Sequence, residues 1–202
     1  VPSEDQAIYP EWINYYDEIP ERMNMYGGYK SHLEVRIGID PAISQSSVAD
    51  YTAMVPGLLF ETKTGYKIYI LPKIINRRLN FPETIDTCKV IYDSYKKEYD
   101  LVRLVVEDVA YQKALPQQLQ VEGVYDVMTT KPGGQDKRSR LVLTANVIKT
   151  GRVLFPKEGA EELIQQIVHF GVEKHDDLAD AFVNAVSSMI ERPPRPPRIF
   201  FI

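Results

Sequence analysis

Cysteine is nearly missing from the chain: Cys88 is the one cysteine in 202 residues. That excludes an internal disulfide and a zinc cluster built on thiolates, and it fits a reducing compartment. Long hydrophobic runs are absent as well. No uninterrupted apolar stretch approaches the roughly 18 residues of a membrane span, and no secretory-signal pattern is seen. Histidine is scarce, and His32, His169 and His175 share no metal-ligand spacing. Positive charge is not in excess either. With 24 Lys and Arg against 28 Asp and Glu the net charge is −4, which argues against a protein that coats nucleic acid with its whole surface.

What is present is an ordinary globular composition, 44% hydrophobic, long enough for one medium domain with its own core. The charge is unevenly spread. Between Lys131 and Lys157 seven basic residues (Lys131, Lys137, Arg138, Arg140, Lys149, Arg152, Lys157) face one acid, Asp136, so this segment is +6 and the remainder −10. A locally basic surface on an acidic protein suits a site that grips phosphates while its acids hold metal.

Residues 1–30, with Pro2, Pro10, Pro20, Gly27, Gly28 and several aromatics, read as a leader or linker packing on the domain, with a short helix around Glu11 to Asp17. Leu33 to Asp40 reads as a strand with Val35, Ile37 and Ile39 on one face, ended by Pro41. Tyr51 to Phe60 and Tyr66 to Leu71 complete an antiparallel meander. A helix opens at Asn80 and Pro82, with Ile85, Cys88, Ile91, Tyr92 and Tyr95 at helical spacing. Leu101 to Glu107 is a buried strand. A helix from Tyr111 to Val121 follows, kinked or restarted by Pro116, then a strand from Val124 to Met128 and a flexible Gly-rich loop from Lys131 to Asp136. Next come a helix over 137–149, a strand over 152–155 and a helix over 157–170. The last helix ends at Ile190, with Leu178, Phe182, Ala185, Val186 and Met189 as its apolar face. The tail over 192–202 is proline-rich and extended. Residues 31–191 thus predict one α/β domain, a mixed sheet covered by helices on both faces.

Two strands each end in a carboxylate, Asp40 and Glu107, and the last helix starts with two, Asp176 and Asp177. Without a cation these acids would repel and raise one another's pKa, so the pattern makes sense with Mg²⁺ or Mn²⁺, hard ions that take oxygen ligands. Asp40 is the expected first ligand of a divalent-metal nuclease site.

The stretches YPEWINYY, GIDPAISQSSVADYTAMV, VVEDVAYQ, the segment from Lys137 to Arg140, GRVLFP and HDDLADAFVNAV, in this order, resemble the C-terminal nuclease domain of large terminase subunits of tailed phages. The resemblance runs from Tyr9 to Val186. It implies an RNase H-like fold and two Mg²⁺ or Mn²⁺ ions held by Asp40, Glu107, Asp176 and Asp177, with Asp40 bridging both. It also implies hydrolysis of double-stranded viral DNA to a 5′ phosphate and a 3′ hydroxyl. Large terminases of this kind carry an N-terminal packaging ATPase and work with a portal ring and a small terminase subunit in the host cytoplasm, transiently at the procapsid. No G-x-x-x-x-G-K-[ST] phosphate loop occurs here, so the chain looks like the nuclease piece alone.

Each candidate has a plainer reading. Asp40 or Glu107 can simply end a strand, and Asp176 can cap the last helix. Asp108 can share the role of Glu107; Asp180 and His175 are expected beside the ligands or solvated, and Asp50 in a structural turn. Lys131, Lys137, Arg138 and Arg140 are the candidates for DNA-backbone contact. The alternatives are another RNase H-like nuclease, such as a junction resolvase or transposase core, and a non-catalytic module that binds DNA or a portal.

Overall fold

In the computed structural model the described residues are 7–20, 32–42, 51–62, 65–107, 113–130, 137–170 and 176–190. Among them lies an eight-stranded mixed sheet. The meander is formed by β2 (His32–Asp40), β3 (Tyr51–Thr62) and β4 (Gly65–Ile70), paired antiparallel as expected. On the far side of β2, β6 (Val102–Glu107) and then β7 (Val127–Thr130) add in parallel. On the far side of β4, β8 (Val153–Pro156) adds in parallel, followed by β1 (Asn14–Tyr16), again parallel. The order is therefore β1-β8-β4-β3-β2-β6-β7, and β5 (Ile75–Arg78) pairs with β3 beyond the end of β4.

Alternation along β2 builds two cores. Val35, Ile37 and Ile39 join Leu104, Val106, Met54 and Leu58 beneath α1 (Phe81–Lys96) and α2 (Ala114–Val121), which contribute Ile85, Cys88, Ile91, Leu115 and Leu119. The opposite face packs on α3 (Lys137–Lys149), α4 (Glu161–Val168) and α5 (Asp177–Ile190) through Leu141, Ile148, Leu163, Ile167, Leu178 and Phe182. Phe155 stacks on Phe182 with ring centroids 5.9 Å apart.

Helix α1 starts where its sequence requires. Asn80 accepts from the Glu83 N–H at 2.9 Å and the Glu83 carboxylate accepts from the Asn80 N–H at 2.8 Å, a reciprocal capping box with Pro82 in the first turn.

Several elements differ from the sequence expectation. The helix expected around Glu11 to Asp17 is a single 3-10 turn, Pro10–Trp12, followed by β1. Asn14, Tyr15 and Tyr16 pair with Leu154, Phe155 and Pro156, and that pairing overrides local helical preference. The described part of the expected helix over 111–121 is α2, Ala114–Val121, and it contains Pro116. This proline is the third residue of the helix, where its missing N–H has no intrahelical partner to lose. Helix α4 starts at Glu161 rather than at 157, because Gly159 adopts a positive φ of 85° and turns the chain first. The proline-rich tail and the loop from Lys131 to Asp136 lie outside the described residues.

The last helix is more deeply enclosed than its amphipathic pattern predicts. From Leu178 to Met189 every α5 residue except Asp180 is buried, including Asn184, Ser187 and Ser188. Its direction is fixed by three contacts with β2. Arg36, itself paired with Glu34 at 2.8 Å, donates to the Ser188 carbonyl. Gly38 meets Ala181 and Ala185, and Asn184 donates to the Ile39 carbonyl at 3.2 Å. As β2 advances, the α5 residues it meets fall in number. The two elements run antiparallel, so the start of α5 lies over the C-terminal end of β2.

Candidate active site

The closest approach in this arrangement is at Gly38. A Cβ there would lie 1.9 Å from the Ala181 carbonyl oxygen and 2.6 Å from the Ala185 nitrogen. Only glycine lets backbone meet backbone in this way. Two residues further on is Asp40, on the same face of the strand and half-buried.

The β2–β6 register pairs Ile39 with Val106, so Asp40 and Glu107 follow side by side on adjacent parallel strands, with backbones about 4.8 Å apart. Across the sheet the same level continues. Ala53 pairs with Asp40, Asn76 with Ala53, and Thr130 with Glu107. A single row, Asn76, Ala53, Asp40, Glu107, Thr130, therefore crosses the sheet on the face that carries α5.

Above this row α5 supplies its acids. Asn184, by its bond to Ile39, marks the helix face turned to the site. At about 100° per residue Asp177 lies about 20° from that direction and Asp180 about 40°, whereas Asp176 is about 80° away. Asp177 and Asp180 share the site face. The helix N-terminus also brings partial positive charge that favours ionised carboxylates. Its Leu178 and Ala179 N–H groups both donate to the Oε1 of Gln166, a buried residue of α4, at 2.9 and 3.3 Å. These are the N–H groups that an N-cap side chain ordinarily takes. Gln166 carries that role from another helix, a cap with no local sequence signature.

Arg140, grouped by charge with the DNA-contact candidates, is turned inward. Its Nη2 donates to Glu107 Oε1 at 2.6 Å, with the side chains only 14% and 23% exposed. Its Nη1 is 3.5 Å from Asn184 Oδ1. Lys137 and Arg138 open α3, but their side chains lie outside the described set, as do Asp50, Asp108, Lys131 and His175.

Among the described residues no three Asp, Glu, His or Cys side chains converge into a set able to hold a metal ion. The fold brings the acids to one end of the sheet, while the Glu107 carboxylate is held by Arg140. The surroundings nevertheless suit a cation with oxygen ligands. Asn76 Oδ1, Thr130 Oγ1 and Arg140 Nε are buried without a hydrogen-bond partner among the described residues. All three lie in or beside the row of Asp40 and Glu107. Thr130 Oγ1 stands one strand from Glu107 and Asn76 Oδ1 two strands from Asp40, so the two oxygens flank the acid pair on opposite sides rather than facing one ion, each suited to ordered water around a hard cation. Gly38, Asn184, Gln166 and the inward turn of Arg140 are the features that composition and motif order did not disclose.

Residues 37–189 match the family described as the terminase RNaseH-like domain. The chain belongs to this family. No curated protein matches it significantly. Among solved structures, this terminase RNaseH-like domain is similar to the large terminase nuclease from thermophilic phage G20c with bound magnesium. The identity is 14%, 92% of this chain and 98% of that one are covered, and the TM-score is 0.60. The human cytomegalovirus terminase nuclease domain is similar at 15% identity, with 89% and 94% covered and a TM-score of 0.57. The large terminase nuclease domain of bacteriophage SPP1 with bound manganese follows at 12%, 77% and 86%, and 0.51. At these identities the likeness is one of fold, and it bears out the RNase H-like mixed sheet flanked by helices.

Proposed function

We propose that this domain is a divalent-metal-dependent endonuclease that cuts double-stranded viral DNA as the nuclease part of a large terminase subunit. The observation that carries the reading is the placement of Asp40 and Glu107 on adjacent strand ends, beneath the face of α5 that bears Asp177. The family membership and the metal ions bound by the G20c and SPP1 relatives support it.

Asp40, Glu107 and Asp177 would hold two ions, Mg²⁺ or Mn²⁺, with Asp176, Asp108 and Asp180 beside them. Bound there, such ions supply the acidity that ionises an attacking water and the charge that steadies the departing 3′ oxygen. The chain's own residues supply position. Asn184 ties the end of β2 to α5, and Gly38 sets the helix directly on the strand. Arg140 neutralises Glu107 and braces its carboxylate. Lys131, Lys137 and Arg138 would hold the DNA backbone further out. In a full-length terminase the cut would fall on concatemeric DNA during genome packaging, with the ATPase domain, the portal ring and the small terminase subunit as partners.

Plasmid nicking and linearisation with Mg²⁺, Mn²⁺, Ca²⁺ or EDTA, alongside Asp40→Ala, tests the proposal. Cleavage with Mg²⁺ or Mn²⁺ that disappears in EDTA and in a folded Asp40→Ala variant is expected. Cleavage that survives either change would refute it. DNA binding without cleavage under every metal would point to a binding module.

A further inference from the structure

Strand β5 borders the site on the side away from α3, and its basic residues lie outside the positive segment that composition marks. Strands β4 and β5 lie end to end along β3, and β5 pairs with β3 at the level where β2 ends. Its register is Ile75 with Met54, Asn76 with Ala53, Arg77 with Thr52 and Arg78 with Tyr51. Asn76 shares the row of Asp40. Side chains alternate along a strand, so Arg78 emerges on the Asp40 face and Arg77 on the opposite one. Ile74 and Ile75 confirm the alternation, packing on the α5-side and α1-side cores respectively.

Arg78 is exposed, and its guanidinium sits over the Tyr51 ring, 5.1 Å from the centroid. A cation seated on an aromatic face keeps its N–H fork free at the edge and loses little freedom on meeting an anion. From strand spacing and rise, Arg78 stands two strands over from Asp40 and two residues further out, about 12 Å away. Asn76, between them, carries the unpartnered Oδ1, while its Nδ2 donates to Glu162 at 2.6 Å.

Building on the endonuclease reading, we infer that Arg78, laid on Tyr51, clamps a backbone phosphate of the same DNA a few nucleotides from the cut, on the β5 side. DNA would then be held from two flanks, by α3 beyond Glu107 and by β5 beyond Asp40. The contact is to phosphate and carries no sequence preference.

The test is binding of a fluorescent duplex by the full 202-residue chain in EDTA across a salt series, for wild type, Arg78→Ala, Arg78→Lys and Lys97→Ala. Lys97 follows the end of α1 and is exposed at the opposite end of the sheet. Losing one phosphate contact should reduce the slope of log K against log salt by about 0.9. The expected result is that reduction and severalfold weaker binding in Arg78→Ala, partial recovery in Arg78→Lys and a wild-type slope in Lys97→Ala. A wild-type slope in Arg78→Ala, or an equal reduction in Lys97→Ala, overturns the clamp while leaving the nuclease reading standing. Failure of the wild type to bind duplex at all, in EDTA and with Mg²⁺, would overturn the DNA reading itself.

Discussion

Replacing Arg140 with methionine keeps an unbranched apolar stem but removes the charge that faces Glu107. The pair is close, 2.6 Å between Nη2 and Oε1, and mostly enclosed, at 14% and 23% side-chain exposure. Two unit charges about 4 Å apart attract by about 4 kcal/mol at an effective dielectric near 20, before desolvation is subtracted. Deleting one partner costs up to ~1 kcal/mol at a surface and roughly 3–5 kcal/mol in an interior. A pair enclosed to this degree should fall between, at about 2 kcal/mol. For a domain of this size that lowers the melting temperature by roughly 4–8 °C in EDTA. The same substitution should strengthen divalent-ion binding. Glu107 then has no competing cation, and about 2 kcal/mol corresponds to at most roughly 30-fold in affinity. Thermal unfolding in EDTA and across a Mn²⁺ titration, with calorimetric titration of Mn²⁺, reads both effects. The reasoning is refuted if Arg140→Met melts with the wild type in EDTA, or if its Mn²⁺ affinity is equal or lower.

Gly38→Ala would force a methyl group into the Ala181 carbonyl. Because backbone on both sides resists, the loss should be at least about 3 kcal/mol, visible as a lowered urea midpoint. Gln166→Leu leaves the Leu178 and Ala179 N–H groups without their acceptor. About 1–3 kcal/mol of destabilisation is expected, and hydrogen exchange should quicken at those two amides before the rest of α5; uniform exchange along the helix would count against the cap. Cys88 is buried and its thiol is pushed up to about 12 by desolvation. Thiol labelling at pH 8 should therefore proceed only through opening of the α1 core, and prompt labelling of the native protein would contradict that burial.

The meander, α1 and the strand ending in Glu107 were legible because their periodicity and punctuation are local. Ile37 and Ile39 alternate with Arg36 and Gly38, and Asn80 and Glu83 announce a helix start three residues apart. The acidic ends of β2, β6 and α5 were read as one group because each carboxylate closes a strand or opens a helix, and motif order reinforced that reading. Their actual proximity depends on parallel register and on the direction of α5, both non-local. Strand β1 escaped notice because its three residues become a strand only against β8. Arg140 looked like part of a basic surface, since composition counts charges without saying which way they face. Asp180 and Asp177 were separable from Asp176 only after Asn184 had fixed the rotation of the helix.

The meeting of Gly38 with Ala181 and Ala185 also limits how the enzyme proposed here can be controlled. Where side chains form a joint, a rotamer change can let two elements slide. Here main chain rests on main chain, and no rotamer is available to take up a shift. The spacing between the end of β2 and the acids of α5 behaves as a fixed jig. Switching such a site on and off during packaging would fall to whatever enters or leaves it, ion, phosphate or the Arg140 guanidinium, with the frame itself unmoved.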